Sequence, residues 1–376
     1  MTATPGPGAW IDTDGGTAFL PMEFVGFSGP IPRATQRSAR DSPKAIHAEL
    51  STGYGVILHG EFRYLDAVYR YCQRFDRELV PSDYFTAIAD HRERRAAFTR
   101  ERRQRLHRLL VEADADTLPA VVDPPNTDGL TDWYAAPAPA GPYLIPYRRL
   151  QRILTDMDRA REGVTVDAIG APLTIRPHVY VPTDQSVPAM YEEYARVIRG
   201  RVVLDVGTGT GVLAILAAKL GARSVVATDL TADAVANARL NVIGAAVQDV
   251  VQVRAPGSLF DATPGESFDV IMFNVPWLDG EPGTRYDIAR YDPGFATLRA
   301  FVAGCGNHLR PAGSVLVQLS DIARADGTDS IGVLRAAADT AALRVHSSHT
   351  IQRRSRTAGG TETVYVFELR RVESEG

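Results

Sequence analysis

Apolar residues follow different patterns in the two halves of the chain, and the change falls near residue 175. After that point, short strand-like apolar runs alternate with segments in which apolar residues recur every three or four positions, as they do in helices. The predicted strands cover 202–206, 224–228, 250–254, 268–273 and 314–319, and the predicted helices cover 212–220, 232–242 and 295–309. This alternation is typical of a doubly wound α/β fold with a mostly parallel sheet and helices on both faces.

The last part of the chain departs from this alternation. Residues 343–351 and 362–369 are strand-like runs joined by a short loop that contains an Ala-Gly-Gly sequence. This arrangement predicts an antiparallel hairpin at the edge of the sheet. With the hairpin included, residues 176–376 are expected to form one domain around a seven-stranded sheet.

The first 175 residues are patterned less regularly. Residues 1–43 are rich in Gly, Pro, Thr and Ser, which predicts an irregular or partly ordered arm. Residues 44–118 show helical periodicity and predict a mainly helical N-terminal domain. Seven prolines in 119–146 indicate a linker, and residues 147–175 predict a helix followed by a β-hairpin.

Composition and charge narrow the classes of protein. The 376 residues carry a formal net charge of −4, which argues against a general nucleic-acid binder. The two cysteines, Cys72 and Cys305, exclude a disulfide framework and a Cys-rich zinc site. No metal site is predicted. The start of the chain lacks a signal-peptide pattern, and no apolar run approaches the roughly 18 residues that a membrane span needs. We therefore expect a cytoplasmic protein.

One helical stretch, 91–108, holds eight arginines against two glutamates. An ordinary solvated helix face explains this composition, and a docking surface for RNA or for an acidic protein is the alternative. Aromatic residues are not interleaved with the arginines in the way that RNA binding favours. The interpretation as a solvated face is therefore preferred, and nucleic acid is not the expected partner.

The strongest motif follows the strand at 202–206 and contains Gly207, Thr208, Gly209 and Gly211. Glycines permit positive φ angles and a close approach of the backbone to a ligand, and this loop would lie at the carboxyl edge of the sheet, where ligands bind. A dinucleotide-binding loop would instead have the spacing G-x-G-x-x-G. Asp205, just before the loop, would repel a pyrophosphate but can hold a methionine ammonium group. S-adenosylmethionine is therefore favoured over NAD as the cofactor.

Further cofactor-binding candidates follow the next two strands. Asp229 lies 22 residues after Gly207, where a carboxylate can accept both ribose hydroxyl protons, although it could also serve the start of the next helix. Leu230 is its neighbour in the same site. Ser258 and Leu259 follow the third strand, where a side chain can meet the adenine amine while an apolar neighbour packs on the ring. A plain loop is the alternative for that segment.

The candidate acceptor site is the sequence Asn274-Val275-Pro276-Trp277, directly after the strand at 268–273. An amide oxygen and a nearby backbone carbonyl can accept the N–H protons of an attacking nitrogen, which orients it and stabilises the positive charge that develops. Pro276 stiffens the turn, and Trp277 offers a flat face for a planar or cationic group. A structural Asn–Pro turn with a core tryptophan is the alternative.

These motifs together resemble those of a known family. Residues 165–325 resemble the Asn-Pro-Pro-Tyr group of class I S-adenosylmethionine-dependent methyltransferases, above all the glutamine N5-methyltransferases that modify release factors. The resemblance implies that Tyr180 and Asp184 lie beside the cofactor and that a helical N-terminal domain recognises the substrate. The sequence departs from the family pattern at Val275, where the family has Pro, and at Trp277, where it has Tyr or Phe.

Several functions are compatible with this sequence. The first is N-methyl transfer to an amide, amine or guanidino nitrogen of a small molecule or a protein side chain. A second is a cyclase that consumes S-adenosylmethionine and releases methylthioadenosine. A third is an RNA or DNA methyltransferase, and a fourth is a binding module without catalysis. The oligomeric state stays open, with a homodimer as one arrangement.

Overall fold

The computed structural model describes residues 7–81, 83–134, 137–182, 184–280, 285–326, 328–354 and 361–372. The beginning of the predicted arm and the Ala-Gly-Gly loop of the predicted hairpin lie outside the described residues. The chain divides into two compact units, Met1–Asp158 and Arg159–Gly376. No described helix combines the length and the apolar character needed to cross a membrane.

The N-terminal unit is a mixed α/β structure. Its strands are β1 (Gly8–Thr13), β2 (Gly16–Pro21), β3 (Arg33–Arg37), β4 (Gly55–Leu58), β5 (Gly60–Glu61), β6 (Leu109–Ala113), β7 (Val121–Val122) and β8 (Tyr143–Pro146). Its helices are α1 (Met22–Ser28), α2 (Pro43–Ser51), α3 (Phe62–Arg74), α4 (His91–Leu106) and α5 (Tyr147–Glu162), the last of which extends past the boundary between the units.

Six strands of this unit form a sheet in the order β2-β1-β3-β4-β6-β8, while β5 pairs with β7. Strands β1, β3, β4 and β6 are parallel, and β2 and β8 close the two edges in the antiparallel sense. The central strand β4 is buried at all four residues, as expected of a parallel strand covered on both faces.

The structure corrects the predicted organisation of this half. The prediction of an irregular arm at 1–43 is wrong, because residues 8–37 contain three strands and a helix, with glycine and proline at the turns between them. The prediction of a mainly helical domain at 44–118 is also wrong, because residues 55–58 and 109–113 are strands of the sheet. The predicted linker at 119–146 contributes an edge strand. Strands this short and buried on both sides show no alternation of apolar and polar residues, so periodicity misses them.

The C-terminal unit confirms the predicted doubly wound sheet. Its strands are β9 (Val164–Val166), β10 (Ala171–Leu173), β11 (Val202–Val206), β12 (Ser224–Thr228), β13 (Val251–Val253), β14 (Phe268–Asn274), β15 (Leu309–Ser320), β16 (Leu343–Arg354) and β17 (Thr361–Arg371). Its helices are α6 (Ser186–Ala189), α7 (Ala195–Ile198), α8 (Val212–Lys219), α9 (Ala232–Gly244), α10 (Ala296–His308) and α11 (Ser330–Thr340).

Seven strands form one sheet in the order β13-β12-β11-β14-β15-β17-β16, and β9 pairs with β10 in a separate hairpin. Strands β11 to β15 are parallel, and β17 alone runs against its two neighbours. The predicted terminal hairpin is therefore present, with β17 inserted between β15 and β16. The parallel order brings the carboxyl ends of β11, β12 and β14 to one edge of the sheet.

The register of the parallel strands assigns their side chains to two faces. Leu204, Ile271 and Val315 are aligned in register and pack in the apolar core with Phe301 of α10. Since successive side chains of a strand point to opposite faces, the residues next to these in sequence point away from that core. Asp205, Asn274 and Gln318, near the ends of β11, β14 and β15, belong to this second face.

Candidate functional site

The glycine loop after β11 adopts a backbone that requires glycine. Gly207, Gly209 and Gly211 have φ angles of 63°, 56° and 84°. A Cβ atom at residue 207 would also lie 2.7 Å from Cε2 of Phe273. Gly211 is the N-cap of α8, so the loop leads directly into the helix. Positive φ and the Phe273 ring together explain why glycine occupies position 207.

Asp205 lies beneath this loop and is 1% exposed. Its Oδ2 atom accepts a hydrogen bond of 2.6 Å from the Thr208 hydroxyl, while its buried Oδ1 atom has no hydrogen-bond partner among the described residues. Burial raises the pKa of this carboxyl to about 7. An acceptor buried without a donor is costly, so the site fits a ligand that brings an N–H group, such as an ammonium.

Asp229 follows β12 and is tied to the loop. Its Oδ2 atom accepts the amide proton of Gly209 at 3.0 Å, and its Oδ1 atom accepts the backbone N–H of Thr231 at 3.0 Å. Burial raises the pKa of Asp229. The Oδ1 atom also accepts from the Thr231 hydroxyl at 3.2 Å. The Oδ2 atom has one described donor, so its second lone pair leaves room for a hydroxyl donor. Asp229 can therefore bond to the backbone at the start of α9 and still accept a hydrogen bond from a ligand.

The remaining cofactor candidates lie at the surface around this aspartate. Leu230 is 54% exposed, and Ser258 is exposed. Leu259 is half-buried with a φ of 46°. A backbone hydrogen bond of 2.9 Å from Gly257 to the carbonyl of Asp229 holds the two loops together. The structure thus brings the predicted adenine segment next to the predicted ribose carboxylate.

Asn274 is the last residue of β14 and is half-buried. Its Oδ1 atom accepts a hydrogen bond of 2.9 Å from the indole N–H of Trp277. Because the indole nitrogen can only donate, this bond fixes which end of the Asn274 amide is the oxygen. Val275 and Pro276 are buried, and the Val275 amide donates to the carbonyl of Gln318 at 3.2 Å.

Asp205 and Asn274 belong to the same face of the sheet. Asp205 is aligned with Met272 of β14, and Asn274 follows two residues later. On the neighbouring strand β15, Gln318 is aligned with Asn274. Because side chains alternate between the two faces along a strand, all of these side chains point away from the α10 core. The tertiary structure therefore places the predicted cofactor carboxylate and the predicted acceptor amide on one surface.

The segment that the family resemblance places beside the cofactor is anchored by polar contacts. Two buried asparagines of α9 hold it: Asn241 accepts from the amide of Thr174 and donates to the carbonyl of Thr210 in the glycine loop, both at 2.8 Å. Asn237 accepts from the amide of Arg176 at 2.8 Å. These bonds fix the start of the segment against the loop.

Farther along, Tyr180 is 39% exposed. Asp184 accepts hydrogen bonds from Ser186 and forms an ion pair with Arg353. Burial alone would raise the pKa of Asp184, but the contacts with Ser186 and Arg353 outweigh it and lower the pKa. The described contacts of Asp184 are thus with protein groups, and its expected role toward the cofactor stays a prediction.

Three polar residues around Asp205, Asn274 and Trp277, two of them buried and one half-buried, carried no sequence signal. Gln318 is 0% exposed; its Nε2 atom donates to the carbonyl of Val187 at 2.9 Å, and its Oε1 atom has no partner among the described residues. The hydroxyl of Tyr191 is likewise buried without a described partner, and burial together with the charge of Asp205 raises its pKa. Arg353 reaches the ring of Trp277 from β16. Only their position in the folded sheet identifies them.

Residues 182–276 match the family model of ribosomal protein L11 methyltransferase (PrmA). This segment contains the glycine loop, Asp229 and Asn274, within a sheet of the order described above. The C-terminal unit has the class I methyltransferase fold. The resemblance to this class that the motifs indicated is confirmed.

Similar proteins cover parts of the chain. The ribosomal protein L11 methyltransferase of Exiguobacterium sp. is 46% identical over 94 residues, which are 25% of this chain and 29% of that protein. The tRNA1(Val) (adenine(37)-N6)-methyltransferase of Phocaeicola vulgatus is 33% identical over 140 residues, 36% of this chain and 57% of that protein. The release factor glutamine methyltransferase of Deinococcus radiodurans is 35% identical over 168 residues, 42% of this chain and 57% of that protein. The chain thus spans 29% to 57% of the length of these relatives.

Proposed function

We propose that the chain is an S-adenosylmethionine-dependent N-methyltransferase that acts on an amide, amine or guanidino nitrogen of a small molecule or a protein side chain. One observation carries the proposal: the Asp205 carboxylate, whose buried Oδ1 atom has no partner in the described part of the chain, and the half-buried Asn274 amide lie on the same face, near the ends of the adjacent strands β11 and β14. Neighbouring strands are about 4.8 Å apart, so groups held by these two side chains would be close to each other.

The cofactor side of the site would be formed by the first three strand ends. Asp205 would accept from the methionine ammonium, and Asp229 would accept from the ribose hydroxyls. The glycine loop at 207–211 permits close approach of the backbone, while Leu230, Ser258 and Leu259 would surround the adenine. When bound, S-adenosylmethionine supplies an electrophilic methyl group. The protein's task is then to position the nucleophile rather than to activate the donor.

The acceptor side would be formed by the turn after β14. The Oδ1 atom of Asn274 has one lone pair engaged by Trp277 and one left for an N–H of the acceptor. The carbonyl of Val275 would take a second N–H. As the nitrogen lone pair forms its bond to carbon, positive charge develops on the nitrogen, and these two oxygens would stabilise it. Pro276 keeps the turn rigid.

The described arginines of the 91–108 stretch support a protein or small-molecule acceptor rather than a nucleic acid. Arg94 donates to the carbonyl of Ile88, and Arg102 pairs with Asp76. Arg105 and Arg108 are buried and donate to backbone carbonyls of the N-terminal unit. Four of the eight arginines are thus engaged in structural contacts, which weakens the case for an electrostatic footprint on phosphates. Two of the three relatives above are named for protein acceptors, which agrees with this choice.

Mass spectrometry of the cofactor's fate tests the proposal. The protein would be incubated with S-adenosylmethionine alone, with carboxamide, amine and guanidino acceptors, and with RNA. S-adenosylhomocysteine that forms only with an acceptor supports methyl transfer. Methylthioadenosine formed without any acceptor would instead establish the cyclase, and an RNA-dependent product would establish a nucleic-acid substrate.

The variant Asn274→Ala sharpens this test. It removes the amide oxygen that orients the nitrogen, so turnover should fall by about two to four orders of magnitude. Calorimetry should find the affinity for S-adenosylhomocysteine within about threefold of the parent. Asn307→Ala, on an exposed position of α10, is the matched control and should behave as the parent. Normal turnover in Asn274→Ala would refute the role assigned to this residue.

A further inference from the structure

Arg353, near the end of β16, joins three elements at the edge of the site. Its guanidinium carbon lies 5.2 Å from the ring centroid of Trp277. Its Nε atom donates to Glu362 of β17 at 2.7 Å, and a second nitrogen pairs with Asp184 of the segment before α6. The Arg353 side chain is 23% exposed, and that of Glu362 is 4% exposed. The two carboxylates leave the guanidinium plane little freedom.

The ring that Arg353 covers is the same ring that orients Asn274. An indole fixed in its plane has a fixed N–H direction, and this N–H is bonded to the Oδ1 atom of Asn274. A rotation of the ring would therefore break or bend the hydrogen bond, whose strength falls steeply as the donor angle departs from linearity. A chain of contacts thus runs from the carboxylates through Arg353 and Trp277 to Asn274.

We propose that Arg353 is a positioning residue for the acceptor amide, which it holds in one orientation by clamping the indole of Trp277. It does so without touching the acceptor. A planar guanidinium can stack on the ring and pair with two carboxylates at once, whereas a lysine ammonium is a point charge that cannot do both. The effect on turnover rests on the proposed function, but the coupling between Arg353 and the indole can be measured without it.

The test uses the indole N–H signals of the full chain in 1H–15N spectra. The sequence contains three tryptophans, and the signal that disappears in Trp277→Phe identifies Trp277. In Arg353→Lys, we expect hydrogen exchange of this N–H to accelerate by tenfold or more. Signals of the other two tryptophans should be unchanged, which also shows that the fold is intact. Arg354→Lys is the matched control, because its side chain is exposed on the same strand.

Unchanged exchange of the Trp277 N–H in Arg353→Lys would overturn the proposal. Should that variant lose its native spectrum, Asp184→Asn offers a second route, because it removes one partner of Arg353 and should accelerate exchange by a smaller factor. If it too leaves exchange unchanged, the proposal fails.

Binding and turnover separate this inference from the proposed function. We expect S-adenosylhomocysteine to bind Arg353→Lys as it binds the parent, while kcat falls about tenfold and KM for the cofactor stays constant. A parent protein that does not bind S-adenosylhomocysteine would refute the proposed function and leave the indole measurement valid. Normal kcat with accelerated exchange would show that the clamp exists but does not serve the reaction.

Discussion

The two halves of the C-terminal sheet are built in different ways. In the proposed cofactor half, from β11 to β13, the hydrogen bonds of the two carboxylates join residues that are close in sequence: Thr208 and Asp205 are three residues apart, and Gly209 and Asp229 are 20 apart. In the acceptor half, from β14 to β16, the group that covers Trp277 comes from far along the chain. Arg353 and its partner Asp184 are 169 residues apart.

The match to the family model covers only part of these contacts. The segment that matches the family model ends at residue 276 and so contains the glycine loop, Asp229 and Asn274. Trp277, Gln318 and Arg353 lie beyond it. The glycine loop, Asp229 and Asn274 therefore lie within the segment that matches the family model, whereas the contact between Arg353 and Trp277 lies outside it. We expect the specificity for the acceptor to depend on Trp277, Gln318 and Arg353.

Among the substitutions that compare the two halves, the largest loss of ligand affinity is expected for Gly207→Ala in the cofactor half. The new Cβ would meet the Phe273 ring at 2.7 Å at a positive φ, so the loop or the ring must move. Overpacking of this kind costs about 1–3 kcal/mol, and we expect the affinity for S-adenosylhomocysteine to fall on the order of a hundredfold. Calorimetric titration provides the measurement.

Gly200→Ala is the control for this change. Gly200 also has a positive φ, 71°, but a Cβ there would have nothing within 4 Å. This variant should lose about 1 kcal/mol of unfolding free energy in urea and bind the ligand normally. Equal binding losses in both variants would show that backbone conformation alone, and not the fit against Phe273, governs the loop.

A smaller effect is expected in the acceptor half, in Trp277→Phe. The substitution keeps a ring but removes the N–H that orients Asn274, a hydrogen bond worth about 1–1.5 kcal/mol. Turnover should fall about tenfold while ligand affinity is preserved. Trp10→Phe, exposed in the N-terminal unit, is the control. A loss of ligand affinity in Trp277→Phe, measured by calorimetry, would mean that the two halves are not separable in the way described.

The smallest effect is a pH dependence of the cofactor half. Burial raises the pKa of Asp205 to about 7, so the folded protein keeps this proton between about pH 4 and 7, where the unfolded chain has lost it. The stability that this group contributes is therefore present at about pH 4 and is lost as the pH rises to 7.

Ligand binding should show the opposite trend, because an ammonium requires the charged carboxylate. We expect the affinity for S-adenosylhomocysteine to rise up to about tenfold from pH 6 to 8. Asp205→Asn should remove most of this dependence, measured by titration at several pH values. A parent affinity that is independent of pH would contradict the placement of the ammonium at Asp205.

Prediction from the sequence worked where pattern and spacing are local. The strands at 202–206 and 268–273 are apolar at every position but one, Asp205 and Asp269, because both faces of a parallel sheet are covered. Their order along the chain could be read from these apolar runs. The same logic failed in the N-terminal unit. There β4 and β8 are four-residue strands, which are too short to show a period. The glycine and proline residues at the turns between the first strands were interpreted as the sign of an irregular arm.

The sequence by itself determined the doubly wound C-terminal fold, the glycine loop and the position of the Asn274 turn. These depend on apolar runs, on positive φ angles and on fixed spacings, which act within about thirty residues of chain. Only the tertiary structure decided that one Asp205 oxygen is buried without a partner among the residues that the structure describes, that Gln318 lies beside Asn274, and that Arg353 covers Trp277. Strand register and side-chain burial set these contacts, and both arise from packing between distant segments that leaves no periodic trace in the sequence.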